Sequence, residues 1–152
     1  MNEAIERKIL DLLQTHRVMT FATVRSDGWP QATTVGYVHE GMRLWFLCGL
    51  DSQKARNLAR DDRVSLTIDH DTADIMAITG LSMAAHAHRV TDPAEAAKVL
   101  RLLPEKYADA PPSTASLPMP TPDQVAIFRV EPTVISVLDY ALGFGHTDLV
   151  TL

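Results

Sequence analysis

Residues 30–63, PQATTVGYVHEGMRLWFLCGLDSQKARNLARDDR, constrain the fold more than any other stretch. Pro30–His39 is rich in Thr, Val and Tyr, and Arg43–Cys48 adds Leu, Trp and Phe. Such residues suit the half-buried pleated surface of a strand, so two strands are predicted with a reversal at Glu40-Gly41. After Gly49 the composition turns polar, and Asp51 or Ser52 can cap a helix that runs to about Ala59. Lys54 and Arg56 then fall in its first turns. A cation at that end opposes the helix macrodipole, at a cost of a few tenths to about 1 kcal/mol. A bound anion reverses the sign, because free amides, dipole and ammonium then act together. The competing reading is that Asp51 offsets the cations and Lys54 is simply solvated; charge alone leaves both open.

The remainder supplies more strands than helices. Ile5, Ile9, Leu12 and Leu13 follow helical spacing, which predicts an amphipathic helix over residues 3–15. Val18–Arg25 changes period, with Met19, Phe21 and Thr23 on one face and Val18, Thr20, Ala22 and Val24 on the other. Ser26-Asp27-Gly28 is a hairpin signal. Arg63–Asp69 alternates as a strand, and His70–Asp74 is a polar turn. Ile75–Val90 is long for one strand, so a bend is expected at Gly80. Asp92-Pro93 begins a helix expected to stop near Leu103, before Pro104. The five prolines of Asp109–Asp123 mark a surface excursion. Val125–Val130 and Thr133–Tyr140 are predicted as two strands interrupted at Glu131-Pro132, followed by a small, polar tail. About six strands with early hairpins fit an antiparallel barrel better than a doubly wound sheet.

Composition bounds function. A length of 152 residues suits one domain, taken here as 1–152. A net charge of -5, with basic residues scattered except around Lys54–Arg63, argues against a general nucleic-acid binder. One cysteine permits no internal disulfide, no apolar run approaches the ~20 residues that span a bilayer, and the N-terminal segment lacks a signal-peptide core. The expectation is a soluble cytoplasmic protein without membrane partners.

The order of short motifs resembles the pyridoxamine 5'-phosphate oxidase-like family, the FMN-binding split barrel. The matching residues are Gly49, Ser52, Lys54, Asn57 and Leu58, then Asp62, Arg63, Val64, Ser65 and Leu66, with the Asp27-Gly28-x-Pro30 turn upstream. The resemblance implies a β-rich α+β fold, an antiparallel split β-barrel with flanking helices, and a homodimer with flavin sites at the subunit interface. It implies that Lys54 and Ser52, beside Asn57, hold the FMN phosphate. Gln31, Thr33, Thr34 and Val35 match the strand edge that meets the isoalloxazine ring, largely through backbone groups. Leu47 and Cys48 match a strand end near the phosphate and ribityl chain. Phe144 and His146 sit in a tail that, by analogy, reaches the flavin pocket across a dimer; an ordinary ordered C-terminus is the alternative. The family's oxidases carry an arginine on the earlier strand and a strand-end threonine, where this chain has Gln-Ala-Thr-Thr-Val and Leu47-Cys48.

These residues point to a flavin-dependent oxidoreductase in which the flavin carries the redox chemistry, with NAD(P)H as a possible electron source and a small molecule or oxygen as acceptor. Alternatives are a deazaflavin-dependent reductase, a haem-binding or haem-degrading protein that would recruit His86, His88 or His146, or a non-catalytic flavin carrier or sensor. His86 and His88 have the i, i+2 spacing of metal or haem ligands but no evident third ligand, and two histidines on a strand face are usually solvated or packed. Cys48, ending the apolar run WFLC, reads as a packed thiol, and Trp29 and Trp45 read as packing residues. No Ser-His-Asp order, P-loop or GxGxxG is present, and no catalytic acid or base is assigned.

Overall fold

Eight strands form one antiparallel sheet in the computed structural model, which describes residues 1–152. They are β1 (Val18–Val24), β2 (Pro30–Gly36), β3 (Val38–Glu40), β4 (Arg43–Cys48), β5 (Arg63–Asp69), β6 (Thr79–Arg89), β7 (Ala126–Asp139) and β8 (Thr147–Thr151). Three helices flank them, α1 (Glu3–Thr15), α2 (Gln53–Arg60) and α3 (Pro93–Lys106), with one further turn, α4 (Pro112–Ala115). The spatial order is β2-β1-β5-β6-β7-β4-β3, with β8 also paired to β7. Strands β2 and β3 therefore end the path, yet only Tyr37 separates them in sequence. Laid flat, the two edges would stand roughly 29 Å apart at ~4.8 Å per gap. One residue spans at most ~3.6 Å, so the sheet must curl until its edges meet. The result is the split barrel that the sequence motifs imply. The expected single strand Pro30–His39 is divided at Tyr37, whose N–H donates to the Arg17 carbonyl at 3.2 Å and whose buried hydroxyl lies 2.7 Å from the Leu13 carbonyl.

Strand β7 runs uninterrupted through Glu131-Pro132, where a break was expected. One edge pairs with β6 along its length; the other pairs first with β4 (Ala126–Val130) and then with β8 (Val134–Leu138). Pro132 falls where this second edge changes partner, so its missing N–H interrupts no ladder there. The register against β6 shifts between Ala84 and Ala85, placing the irregularity here and not at Gly80. Residues 75–77 form a 3₁₀ turn ahead of β6, α3 continues through Pro104 to Lys106, and the small, polar tail leads into β8.

The inner face carries the main core, including Met19, Phe21, Phe46, Leu66, Met83 and Phe128, with Ile9 and Leu13 of α1 packed into it. The Phe46 ring stacks on Phe128 at 5.4 Å and meets Phe21 at 4.6 Å. The outer face is covered only where α3 packs Ala96 and Val99 against Val38, Trp45 and Ile127. Strand β4 is thus buried on both faces, which explains why LWF reads as a continuous apolar run. Elsewhere the outer face is bare. In register it presents Thr34, Thr20, Thr67, Ser82, Ser136 and Leu149 in one row across six strands. The adjoining row is Ala32, Ala22, Ser65, Ala84, Val134 and Thr151. Neither row carries a charge. Trp29, read as a packing residue, is 69% exposed beside the β1–β2 turn, whereas Trp45 is buried.

Helix α3 is tethered by a polar contact at the rim of its packing surface. Glu95 accepts a hydrogen bond from the Trp45 indole at 2.9 Å and a forked pair from Arg129 Nη1 at 3.0 and 2.9 Å. Burial opposes the Glu95 charge, but the bonds from Trp45 and Arg129 outweigh it and hold the carboxyl below its usual range. A depressed folded-state pKa contributes stability that is fully present above the unfolded value, about 4.3, and is lost as pH falls through the folded value. Glu95→Gln should therefore destabilise the protein by about 1 kcal/mol at neutral pH, a modest figure because the pair is partly solvated. Urea titrations at pH 7 and pH 3 should show that difference shrinking in acid; a constant difference would assign the effect to packing.

Candidate binding site

Helix α2 begins at Ser52, whose Oγ accepts the Ala55 N–H at 3.1 Å and thereby settles the cap between the two residues the sequence offered. The N–H groups of Gln53 and Lys54 have no backbone acceptor, as expected in a first turn. That turn faces the inner side of β1 and β2 at the sheet edge, enclosing a hollow of about 180 Å³. Thr23, Gln31, Thr33, Ser52, Gln53 and Lys54 line it. The lining contains no apolar side chain and no acid, so Lys54 is its one formal charge.

The floor is Asn57, which is fully buried. Its Nδ2 donates to Thr23 Oγ1 at 2.9 Å and to Gln31 Oε1 at 3.3 Å, while its Oδ1 accepts from Gln53 Nε2 at 2.8 Å. A buried amide can be tolerated here because both of its polar ends are satisfied. The remaining Gln53 oxygen accepts from Arg56 Nη2 at 2.9 Å. Thr33 Oγ1 is the exception: it is buried with no hydrogen-bond partner in the chain. An orphaned hydroxyl beside a free cation and two free amides fits a phosphate-bearing ligand, whose oxygens accept several donors at once.

Four of the sequence-assigned residues therefore line one space, Gln31, Thr33, Ser52 and Lys54, with Asn57 directly beneath. Thr34 lies on the opposite, exposed face of β2, and Val35 packs against the main core. Leu47 packs toward α3, and the half-buried Cys48 against the main core. Phe144, 74% exposed and edge-on to Tyr140, and His146, 3.1 Å from Asp148, belong to the β7–β8 connection. None of these six lines the hollow. Thr23 and Gln53 were not singled out from sequence, although signals existed. Thr23 continues the inward face of Met19 and Phe21, and Gln53 stands four residues before Asn57 on the same helical face.

His86 and His88 lie apart from the hollow. Both rings turn onto Asp62, His86 Nδ1 and His88 Nε2 each standing 2.9 Å from one carboxylate oxygen. Hydrogen bonds from His86 and then His88 hold the Asp62 carboxyl below its usual range. No group of three or more His, Cys, Asp or Glu side chains is arranged to hold a metal ion, and no helix is long and apolar enough to cross a membrane.

The sequence model of pyridoxamine 5'-phosphate oxidase matches residues 5–138, from α1 to the end of β7. The chain belongs to the pyridoxamine 5'-phosphate oxidase family. Within the solved structures, a conserved hypothetical protein of Mycobacterium tuberculosis is 27% identical, with 97% of this chain and 91% of that one covered and a TM-score of 0.76. A heme binding protein of Mycobacterium smegmatis is 22% identical over 99% of this chain, with a TM-score of 0.78. This chain spans 59% of its length. HutZ, a heme storage protein of Vibrio cholerae, is 20% identical over 96% of this chain and 93% of its own, with a TM-score of 0.66. No curated protein matches this chain.

For this member of the family, the satisfaction of Asn57 is a stability claim. Asn57→Leu leaves the Gln53 amide and the buried Thr23 hydroxyl without their partner, which should cost about 1–3 kcal/mol. Chemical denaturation checks this; an unchanged midpoint would mean that the network is not formed in solution.

Proposed function

We propose that this protein is an FMN-binding flavoprotein and a flavin-dependent oxidoreductase acting on a small molecule. The observation that carries the reading is the all-polar hollow at the α2 N-terminus, with Lys54 as its single cation and an unpartnered Thr33 hydroxyl in its wall. Ser52, Lys54 and the free amides of Gln53 and Lys54 would hold the phosphate, and the β2 edge from Gln31 to Val35 would meet the ring. A bound flavin would supply two-electron chemistry to a donor such as NAD(P)H and a small acceptor or oxygen. The lining has no carboxylate or imidazole. Its residues would bind and orient, and would not relay protons.

Haem is the second reading, because two proteins of the same fold are haem proteins by name. Two features favour flavin. The hollow has neither a histidine nor apolar walls, and both candidate histidines on β6 are engaged by Asp62. A deazaflavin would use the same groove. Absorbance of freshly purified protein separates the three.

The reading includes a homodimer of single-domain subunits. The bare outer face supports it: two charge-free rows, mostly of small side chains and ending at the exposed Leu149, cross six strands, a surface on which a second sheet can lie without burying unpaired charge. Sedimentation should give twice 16.8 kDa at micromolar concentration. Ala84→Arg, on the exposed outer face of β6, should yield a folded monomer; a dimer with unchanged affinity would place the interface elsewhere.

Lys54→Ala tests the cofactor site directly. Loss of one charge-assisted contact costs roughly 1.5–3 kcal/mol, or about ten- to a hundred-fold in FMN affinity. Riboflavin, which lacks the phosphate, should bind wild type and mutant alike, and the melting temperature should hardly move. Fluorescence titration with both ligands decides the matter. Equal losses, or no loss for either, would remove Lys54 from the phosphate site.

A further inference from the structure

The lining of the hollow differs from an ordinary polar depression in where its lone pairs go. Ser52 Oγ is occupied by the Ala55 N–H, and Gln53 Oε1 by Arg56. Thr23 Oγ1 and Gln31 Oε1 each take one hydrogen of the Asn57 amide. The amide nitrogen of Gln31 makes no hydrogen bond within the chain, because its oxygen is the end turned toward Asn57. Hydrogens therefore face the cavity from Gln31 Nε2, Lys54 Nζ and the free backbone amides. The hydroxyls of Ser52, Thr23 and Thr33 are free to add theirs. Asn57 can impose this polarity because it is buried and held in one orientation: its Oδ1 accepts from Gln53 Nε2, and its Nδ2 is the end turned to Thr23 and Gln31.

We propose that Gln31 is a specificity-determining donor to a phosphate-class anion, and that Asn57 is the positioning residue that aims it. For the identity of the bound molecule this rests on the flavin reading, but the class of group follows from the donor set alone. An oxygen-rich dianion can accept from Gln31, Lys54 and the free backbone amides at once, whereas a neutral ligand leaves the Lys54 charge without a counter-charge, since the lining has no acid. Gln31 thus acts through its side chain, in addition to the backbone contact that its strand position implies.

The test uses the full-length protein with inorganic phosphate (³¹P line broadening), FMN and riboflavin (fluorescence or calorimetry) as probes. In wild type, phosphate and FMN should saturate, and FMN should bind more tightly than riboflavin. Gln31→Met, nearly isosteric on a half-exposed strand edge, should weaken phosphate and FMN about ten- to a hundred-fold while sparing riboflavin. Asn57→Asp keeps the acceptor for Gln53 but draws the N–H groups of Gln31 inward. It should cut the preference for FMN over riboflavin, and by less when Gln31 is already methionine. If Asn57→Asp does not fold, Asn57→Ser carries the same comparison. Saturable phosphate binding that needs Gln31, in a protein that ignores FMN, would uphold this inference and reject the flavin. Unchanged phosphate affinity in Gln31→Met, or equal losses of FMN and riboflavin, would overturn it. No saturable binding of phosphate or FMN to wild type would overturn both. Equal Asn57→Asp losses with and without Gln31 would remove the positioning role.

Discussion

A single buried residue closes this fold. Tyr37 links the two strands that end the sheet path; its hydroxyl is fixed to Leu13 in the last turn of α1 and its backbone to Arg17 just beyond that helix. Burial pushes its phenol well above the usual range, so it stays a neutral donor at ordinary pH. Because one residue cannot bridge an open sheet, every strand between β2 and β3 must bend to accommodate it. The long strands absorb that bend. Strand β7 serves two neighbours along one edge, and its register slips at the change of partner, beside a proline that could not have joined both ladders.

Closure also determines where the candidate site lies. Strand β2 is an edge, so its inward residues beyond the core, Gln31 and Thr33, have no further strand to cover them. Helix α2 follows β4 after a four-residue turn and drops its N-terminus onto that gap. The contact is polar because a helix start and a sheet edge both present unmade hydrogen bonds, and apolar side chains cannot satisfy them. Asn57 answers part of that demand from inside, while Thr33 and the first-turn amides are left over. A site of this kind is built from what the fold cannot pair.

The sheet has one crowded face and one nearly bare one. Helix α1 and the aromatic trio Phe21, Phe46 and Phe128 fill the inside, and α3, tethered through Glu95, covers only the β3–β4 corner outside. In the two central rows outside that corner, mostly small hydroxyl and alanine side chains cost little to expose and little to cover. That balance is the basis of the dimer proposed above.

Much of this was legible in the chain itself. Alternation gave β1 and β5, helical spacing gave α1, and the ordered run from Gly49 to Leu66 carried the family and the cluster Ser52, Lys54 and Asn57. These signals are local: they depend on period, capping and side-chain type within a few residues. The failures were long-range. Pro132 reads as a strand break until β7 is seen to change partner there, Tyr37 reads as mid-strand until the sheet closes around it, and Trp29 reads as core until the hairpin holds it outside. Thr23 and Gln53 became part of the site only when β1, β2 and α2 met, and Thr34 was separated from Thr33 by the pleat of one strand. The sequence by itself determined which residues could bind an anion, because donor chemistry belongs to the side chain. Only the tertiary structure decided which donors converge, because convergence depends on the closure of a sheet whose ends lie next to each other in the chain but at opposite limits of the strand order.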